Sequence, residues 1–388
     1  MTAGIGQHPA TRFGSTAELT ADAPPEARGL TRDGVRLLVG SEQDGAVTIE
    51  HATFRALGRY LRPGDVLVVN NSATIPAEVD GRLATRGAVV VHVGADLDDC
   101  SWVVELRTAP DAARPIVDAA VGDEIVLAGR HRRATSSLPT LRLVAPYPEE
   151  GSSPSGSGNR LWKAAESGSG GLTKHLASHG RPVAYGYLRA RFPLAAYQTV
   201  FASIPGSAEM ASAARPFTTE LVTTLVSAGI VIVPVTLHTG LSSQEAGEAP
   251  QPERFAVSRS TAGVVNAARA AGGRIVAVGT TATRALESAT DEAGVVRAAG
   301  GWTDLVISPD RPVRVVGGLV TGWHNSDASH LLLVESVAGR NLTQAAYDSA
   351  LARHYAWHEF GDSALLLPST ISDGPAHQQT AREPGPVY

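Results

Sequence analysis

Cysteine is almost absent: Cys100 is the single one in 388 residues. One thiol excludes a disulfide framework and any multi-cysteine zinc site. Also missing is an unbroken apolar run of about 18 residues, the length that a membrane-crossing helix needs. The first residues, Met1 to Phe13, hold no apolar segment of the kind that directs secretion. The expectation is therefore a cytoplasmic, metal-independent chain that does not enter the membrane. Positive charge is not in excess either, since 33 Lys and Arg against 38 Asp and Glu leave a net charge of −5. That balance is wrong for a protein held to nucleic acid by bulk charge alone. No GxGxxG follows a strand pattern, and no P-loop lysine, nucleophile elbow or zinc-ligand spacing occurs.

What is present is size and alternation. At roughly 150 residues per domain the length suggests two or three domains, and 43% hydrophobic residues suffice for a sizeable core. The first thirty residues read as an irregular arm. A helix is expected over 49–62, with Phe54, Leu57 and Leu61 on one face and Pro63-Gly64 ending it. Residues 65–69 read as a short buried strand broken by Asn70-Asn71-Ser72. Short β-rich runs at 88–93, 102–107, 124–127 and 140–144 then suggest a small barrel or sandwich. Residues 149–171 are dominated by Gly, Ser and Pro, with a short helix expected over 161–166.

Beyond that loop, helical patterns at 218–228, 260–271, 281–289 and 343–358 alternate with strands at 230–237 and 274–278. Extended stretches are expected at 306–307 and 313–320. Such alternation favours a mostly parallel sheet covered by helices. The fold class is an α/β main domain, residues 1–78 and 148–388, with a small all-β barrel domain inserted over 79–147.

Several strand ends carry candidate chemistry. In the stretch 274–284 a buried strand is followed by Gly279, Thr280 and Thr281, with Arg284 in the first helical turn. Free N–H groups there suit an anion, and Arg284 suits a carboxylate; an ordinary threonine-capped turn would look the same. His238 follows a strand beside Thr239-Gly240, as an acid, base or ligand contact or as a satisfied loop histidine. Trp302 and Trp323 suit stacking on a nucleobase or plain half-burial. Gly361-Asp362-Ser363 reads as a helix-end turn or a site loop. The basic run Arg130-His131-Arg132-Arg133 suits phosphate contact or a solvated surface.

Taken together these segments resemble the S-adenosylmethionine:tRNA ribosyltransferase-isomerase family of queuosine biosynthesis, over about residues 36–367. The resemblance rests on Gly64-Asp65-Val66-Leu67-Val68-Val69-Asn70, Ile75-Pro76-Ala77, Arg181-Pro182-Val183-Ala184-Tyr185 and Tyr197-Gln198-Thr199-Val200-Phe201-Ala202. It continues through Pro205-Gly206, Phe217-Thr218, Thr236-Leu237-His238-Thr239-Gly240 and Val278-Gly279-Thr280-Thr281 with Arg284 and Leu286-Glu287-Ser288. It closes on Gly301-Trp302-Thr303-Asp304, His324, Gly339-Arg340, Tyr347, Tyr355 and Gly361-Asp362.

The resemblance implies an α/β domain with an inserted barrel, and a reaction that joins the ribosyl part of S-adenosylmethionine to a 7-aminomethyl-7-deazaguanine base in tRNA. Adenine and methionine leave and epoxyqueuosine forms. The sulfonium acidifies the protons on the ribose 5′ carbon, so a positioned base starts the elimination without a metal. On that chemistry His238, Asp304 and His324 are the acid–base candidates. Asn70, Gly279, Thr280, Thr281, Arg284 and Trp302 are the candidates for holding S-adenosylmethionine, with the Gly279–Arg284 turn on its carboxylate and Trp302 on its adenine.

The chain departs from the family at loops. After Asn70 the family runs aspartate, threonine, arginine or lysine, then valine-isoleucine-proline-alanine-arginine; here Asn71, Ser72, Ala73 and Thr74 precede Ile75-Pro76-Ala77-Glu78. Before Phe217 the family's proline-threonine-alanine-glycine-leucine-histidine is Ala211-Ser212-Ala213-Ala214-Arg215-Pro216. The family's asparagine-phenylalanine-histidine-leucine-proline is Gly322-Trp323-His324-Asn325-Ser326, and its glycine-threonine-phenylalanine run is Leu241-Ser242-Ser243-Gln244. The leading reading is the family transferase with a tRNA acceptor. The alternatives are a diverged enzyme using S-adenosylmethionine or a related nucleoside on a small-molecule acceptor, and a non-catalytic ligand- or RNA-binding protein.

Overall fold

The computed structural model describes residues 8–14, 16–129, 138–150, 158–167, 171–242, 248–326 and 328–369. The basic run at 130–133 lies outside them, as do residues 151–157 and 168–170 of the Gly/Ser-rich stretch.

Four strands make the centre of the main domain. Val231–Leu237, Val66–Asn70, Ile275–Val278 and Gly318–Thr321 lie side by side in that order, all parallel. Every residue of the last three is buried, which is why they read as unbroken apolar runs. Successive side chains face opposite sides. Val66 and Val68 enter one core with Leu286, Val334 and Tyr347; Leu67 and Val69 enter the other with Phe54, Phe217 and Leu225.

The flanks differ from the expected parallel pattern. Glu253–Val257 and Ala299–Thr303 add antiparallel strands at one edge. At the other edge Ser363–Leu367 is antiparallel to Gly318–Thr321, Arg36–Gln43 is parallel to it, and Ala46–Thr53 closes the sheet antiparallel. The helix expected over 49–62 is therefore the end of this edge strand followed by a short 3-10 helix, Phe54–Tyr60. The apolar spacing of Phe54 and Leu57 is real, since both are fully buried, but the residues before them pair in a hairpin around Asp44-Gly45.

Three later expectations also shift. Residues 306–307 belong to no strand, and the extended run at 313–320 contracts to Gly318–Thr321. The last helix is Arg340–Ala352, preceded by an unforeseen helix, Ser329–Ala338, with Gly339 at φ 75° between them.

The inserted unit is a closed six-stranded barrel. Its order is Leu161–Ser167, Ser101–Thr108, Gly87–Asp96, Glu78–Leu83, Glu124–Leu127 and Thr140–Pro146, which pairs back onto Leu161–Ser167. The helix expected over 161–166 is this closing strand, so the barrel extends past residue 147. Trp162 and Ala164 point into the barrel core with Val91, Leu106, Ile125 and Leu141. The helix Leu172–His179 then covers that core with Leu172 and Leu176. Among the described residues no helix is long and apolar enough to cross a membrane.

Candidate functional site

A cavity of about 570 Å³ opens at the carboxyl ends of the central parallel strands, where open α/β sheets gather their ligand sites. Gly279, Thr280 and Thr281 line it after one strand, Thr321 to Asn325 after the next, and Thr239 after a third. The opposite wall comes from Arg107 of the barrel, from Tyr185, Tyr187, Tyr197 and Glu209, and from His358 and Glu359.

Of the candidate residues singled out in the sequence, the cavity collects Gly279, Thr280, Thr281, Trp323 and His324. Gly279 sits at φ 93°, a left-handed conformation that only glycine adopts without strain. It caps the helix Thr280–Ser288 with no side-chain partner, so the first-turn N–H groups of that helix face the cavity floor. His324 lies 3.1 Å through Nε2 from Thr321 Oγ1 and stacks on His330 with ring centroids 5.0 Å apart. Burial, with His330 and His358 nearby, holds its pKa well below the usual histidine range.

The other candidates lie outside the lining. Asn70 is fully buried: its Oδ1 accepts from the N–H of Ser72 (3.0 Å) and Leu237 (3.1 Å), and its Nδ2 donates to Leu237 O and Thr281 Oγ1. It fastens strand ends and orients Thr281. Arg284 has its donors engaged inside the protein, by Glu253 and by the carbonyls of Gln251, Thr303 and Leu305. His238 is 2.8 Å through Nδ1 from Ser72 Oγ, and burial lowers its pKa. Trp302 donates to Asp98 at 2.7 Å under the Arg254 guanidinium, and Asp304 is exposed.

Two carboxylates in the cavity were not foreseen. Glu209 accepts from the Tyr185 hydroxyl and from the N–H and hydroxyl of Ser242. Glu359 accepts from the Tyr187 hydroxyl. Burial pushes the Glu359 carboxyl up to about 7, with Glu209 adding to the rise and the Tyr187 hydrogen bond opposing it. The one arginine in the lining, Arg107, donates to Glu105 at 2.7 Å. Among the described residues, the cavity therefore presents two carboxylates bonded only to neutral donors. Tyr197 Oη, Thr239 Oγ1 and Trp323 Nε1 are buried there without a protein partner among the described residues.

The loop carrying Glu359 is fastened at both sides. Asp362 accepts from the backbone N–H and Nε of Arg36 (2.7 and 2.9 Å) and from the N–H of Ala356 (2.7 Å). A Cβ on Gly361 would lie 2.3 Å from Ala356 O and 2.8 Å from the backbone carbon of Trp357. Backbone atoms cannot step aside cheaply, so Gly361→Ala is expected to cost about 1–3 kcal/mol. Urea unfolding checks this, and an unchanged midpoint would refute the close fit. The Gly361-Asp362 motif was the one local signal for this loop.

Comparisons with known proteins find relatives that match most of the chain. A family model described as "Queuosine biosynthesis protein" matches residues 11–366. The S-adenosylmethionine:tRNA ribosyltransferase-isomerase of Symbiobacterium thermophilum is 35% identical over 360 residues, covering 90% of this chain and 96% of that protein. The enzyme of the same name from Thermus thermophilus is 34% identical over 342 residues, 87% of this chain and 93% of that one. A crystal structure of S-adenosylmethionine tRNA ribosyltransferase from Thermotoga maritima aligns with 26% identity and a TM-score of 0.48, over 92% of this chain and 99% of that one. By the extent and identity of the sequence matches, the chain belongs to the queuosine biosynthesis family that contains the S-adenosylmethionine:tRNA ribosyltransferase-isomerases.

Proposed function

We propose that this chain is itself an S-adenosylmethionine:tRNA ribosyltransferase-isomerase whose strand-end cavity binds S-adenosylmethionine. The observation that carries the reading, beside family membership, is the charge of the cavity. Among the described residues, Glu209 and Glu359 face it with only neutral donors for partners, and such a site favours a cation. The sulfonium and ammonium groups of S-adenosylmethionine are cations; a buried carboxylate attracts them more strongly than water-exposed charge would.

The rest of the molecule has matching surroundings. The free N–H groups at the start of the helix Thr280–Ser288 suit the methionine carboxylate. Tyr187 and His358 stack with centroids 4.9 Å apart and planes 17° apart, with Tyr185 beside Tyr187 at 6.2 Å. That aromatic wall takes the adenine-holding role that Trp302 was expected to fill. Tyr197 Oη and Thr239 Oγ1 supply hydrogen-bonding atoms that have no partner among the described residues. A 7-aminomethyl-7-deazaguanine base in tRNA is the acceptor, which puts the reaction in the cytoplasm; adenine and methionine leave as epoxyqueuosine forms. Nothing in the cavity or the comparisons favours the small-molecule or non-catalytic alternative.

The test is adenine release from S-adenosylmethionine, with and without tRNA bearing the 7-aminomethyl base. Release that depends on that tRNA is expected. Binding without release in the presence of the modified tRNA would overturn the assignment.

A further inference from the structure

The proposed reaction begins with loss of a proton from carbon, and the cavity holds several groups able to accept one. We propose that Glu359, oriented by Tyr187, is the catalytic base that takes the proton from the ribose 5′ carbon beside the sulfonium sulfur. The inference rests on the reading of the cavity as an S-adenosylmethionine site and goes beyond it by assigning the base.

The assignment follows from what each group already does. Glu209 accepts three hydrogen bonds, from Tyr185 and twice from Ser242. Those bonds occupy lone pairs on both of its oxygens, which leaves little room for a substrate proton. Glu359 accepts a single side-chain bond, from Tyr187, and keeps a lone pair for substrate. His324 is tied to Thr321 and stacked on His330, and burial makes both feeble bases, His330 with a pKa of about 4. His358 lies face to face with Tyr187. Burial pushes the Glu359 carboxyl up to about 7, which is where a general base works best.

The backbone is arranged for this side chain. His358 holds φ 68°, a region that non-glycine residues seldom occupy and that recurs at functional sites. The Asp362 clamp to Arg36 and Ala356 fixes the turn just beyond it. Tyr187 stays protonated, since burial and the Glu359 charge hold its pKa well above the usual range, so it remains a donor.

The step balances simply. The C5′–H bond breaks, its electron pair stays on carbon next to the positive sulfur, and the proton bonds to a Glu359 carboxylate oxygen. The groups that face this carboxylate are Tyr187, Glu209, Tyr197 and His358, with His324 and His330 across the cavity. Of these Glu209 is the one that raises the Glu359 pKa by its charge.

The experiment uses the whole chain with tRNA acceptor and S-adenosylmethionine, reading adenine release. Glu359→Gln is expected to lower kcat about 100-fold or more while KM for S-adenosylmethionine rises only a few-fold. Glu359→Asp restores part of kcat. In the wild type kcat/KM for S-adenosylmethionine rises with pH through a limb near 7, the value of the free protein; Glu359→Gln abolishes that limb. Tyr187→Phe moves it to higher pH, because the lost hydrogen bond was holding the pKa down. A Glu359→Gln variant with kcat within about threefold of wild type, or with the limb intact, overturns the assignment. A change in KM alone reduces Glu359 to a binding group and overturns it too. A wild-type protein that releases no adenine refutes the proposed function instead, so the two failures are distinct.

Discussion

An Arg284→Ala variant is expected to lose about 3–5 kcal/mol of folding stability, the range for breaking a buried ion pair by removing one partner. Arg284 is 6% exposed and bonds to Glu253 and to three backbone carbonyls from two different segments. Glu253 lies on the neighbouring antiparallel strand and also accepts from the N–H of Gly240 at 2.9 Å. Without the guanidinium its carboxyl remains buried with no counter-charge. Burial already pushes the Glu253 carboxyl up against the pull of Arg284, so removing that pull raises it further. A carboxyl with a raised folded-state pKa contributes stability below its unfolded value, and that contribution is lost as pH rises through the folded one. The deficit of the variant is therefore smaller at pH 5 than at pH 8. Arg284→Lys is expected to recover only part of it, because an ammonium cannot span the acceptors that the planar fork reaches. Urea unfolding across that pH range measures both effects. Unchanged stability together with lost affinity for S-adenosylmethionine would return Arg284 to the ligand site.

That arginine shows what a sequence can carry and where it stops. The strand–glycine–threonine turn at 275–281 was legible because buried strands and positive-φ glycines leave local marks. The partner of Arg284 was not, since Glu253 precedes it by 31 residues and meets it only where the helix packs against the strand Glu253–Val257. The Asp44-Gly45 turn had the local signature of a two-residue hairpin, yet Phe54, Leu57 and Leu61 suggested a longer helix than the chain forms. The closing barrel strand 161–167 was obscured by its Gly- and Ser-rich flanks. Glu359 and Tyr187 are separated by 172 residues, and neither stands in a recognisable motif. Their meeting depends on the Gly361 turn and on the segment after the barrel.

The departures from the family pattern also look different in three dimensions. Glu78, where the family has arginine, is fully buried and accepts from Arg181 and from the N–H of Ala184. Arg191 pairs with it at 2.5 Å and His92 at 3.1 Å. Arg215, where the family has leucine, pairs with Glu26 at 2.9 Å. Both substitutions are answered by charges of this chain, and neither residue lines the cavity. Ala211, Ser212 and Ala213 do line it, as do Thr74, Ser242, Gly322, Trp323 and Asn325, so altered sequence reaches the site itself from several loops.

A His92→Leu variant should be damaged as severely as Arg284→Ala, by about 3–5 kcal/mol, and with a different pH signature. His92 is fully buried on a barrel strand between two carboxylates that face it across the neighbouring strands, Glu78 at 3.1 Å and Glu105 at 3.3 Å. Burial alone would lower its pKa, but the close carboxylates of Glu105 and Glu78, the latter hydrogen-bonded to it, prevail and raise it. The same cluster holds Glu78 low and brings Glu105 down to about 2, with Arg160, His92 and Arg107 supplying the stabilising charge against burial. Glu105 thus contributes stability above its ordinary value of 4.5 that is lost as pH falls towards 2. His92 contributes stability in full below its ordinary 6.5, lost as pH rises through its higher folded value. The wild-type cluster is most stabilising between those two limits. Leucine leaves two carboxylates with their shared cation removed; it abolishes the alkaline loss and keeps the acid one. Arg107 bonds to Glu105 and lies over the Tyr185 ring at 5.4 Å, so loosening this cluster also loosens the cavity wall. Urea midpoints of both proteins from pH 3 to pH 9 decide the matter. A variant as stable as wild type, or one that retains the alkaline limb, would show that His92 sits in the cluster uncharged.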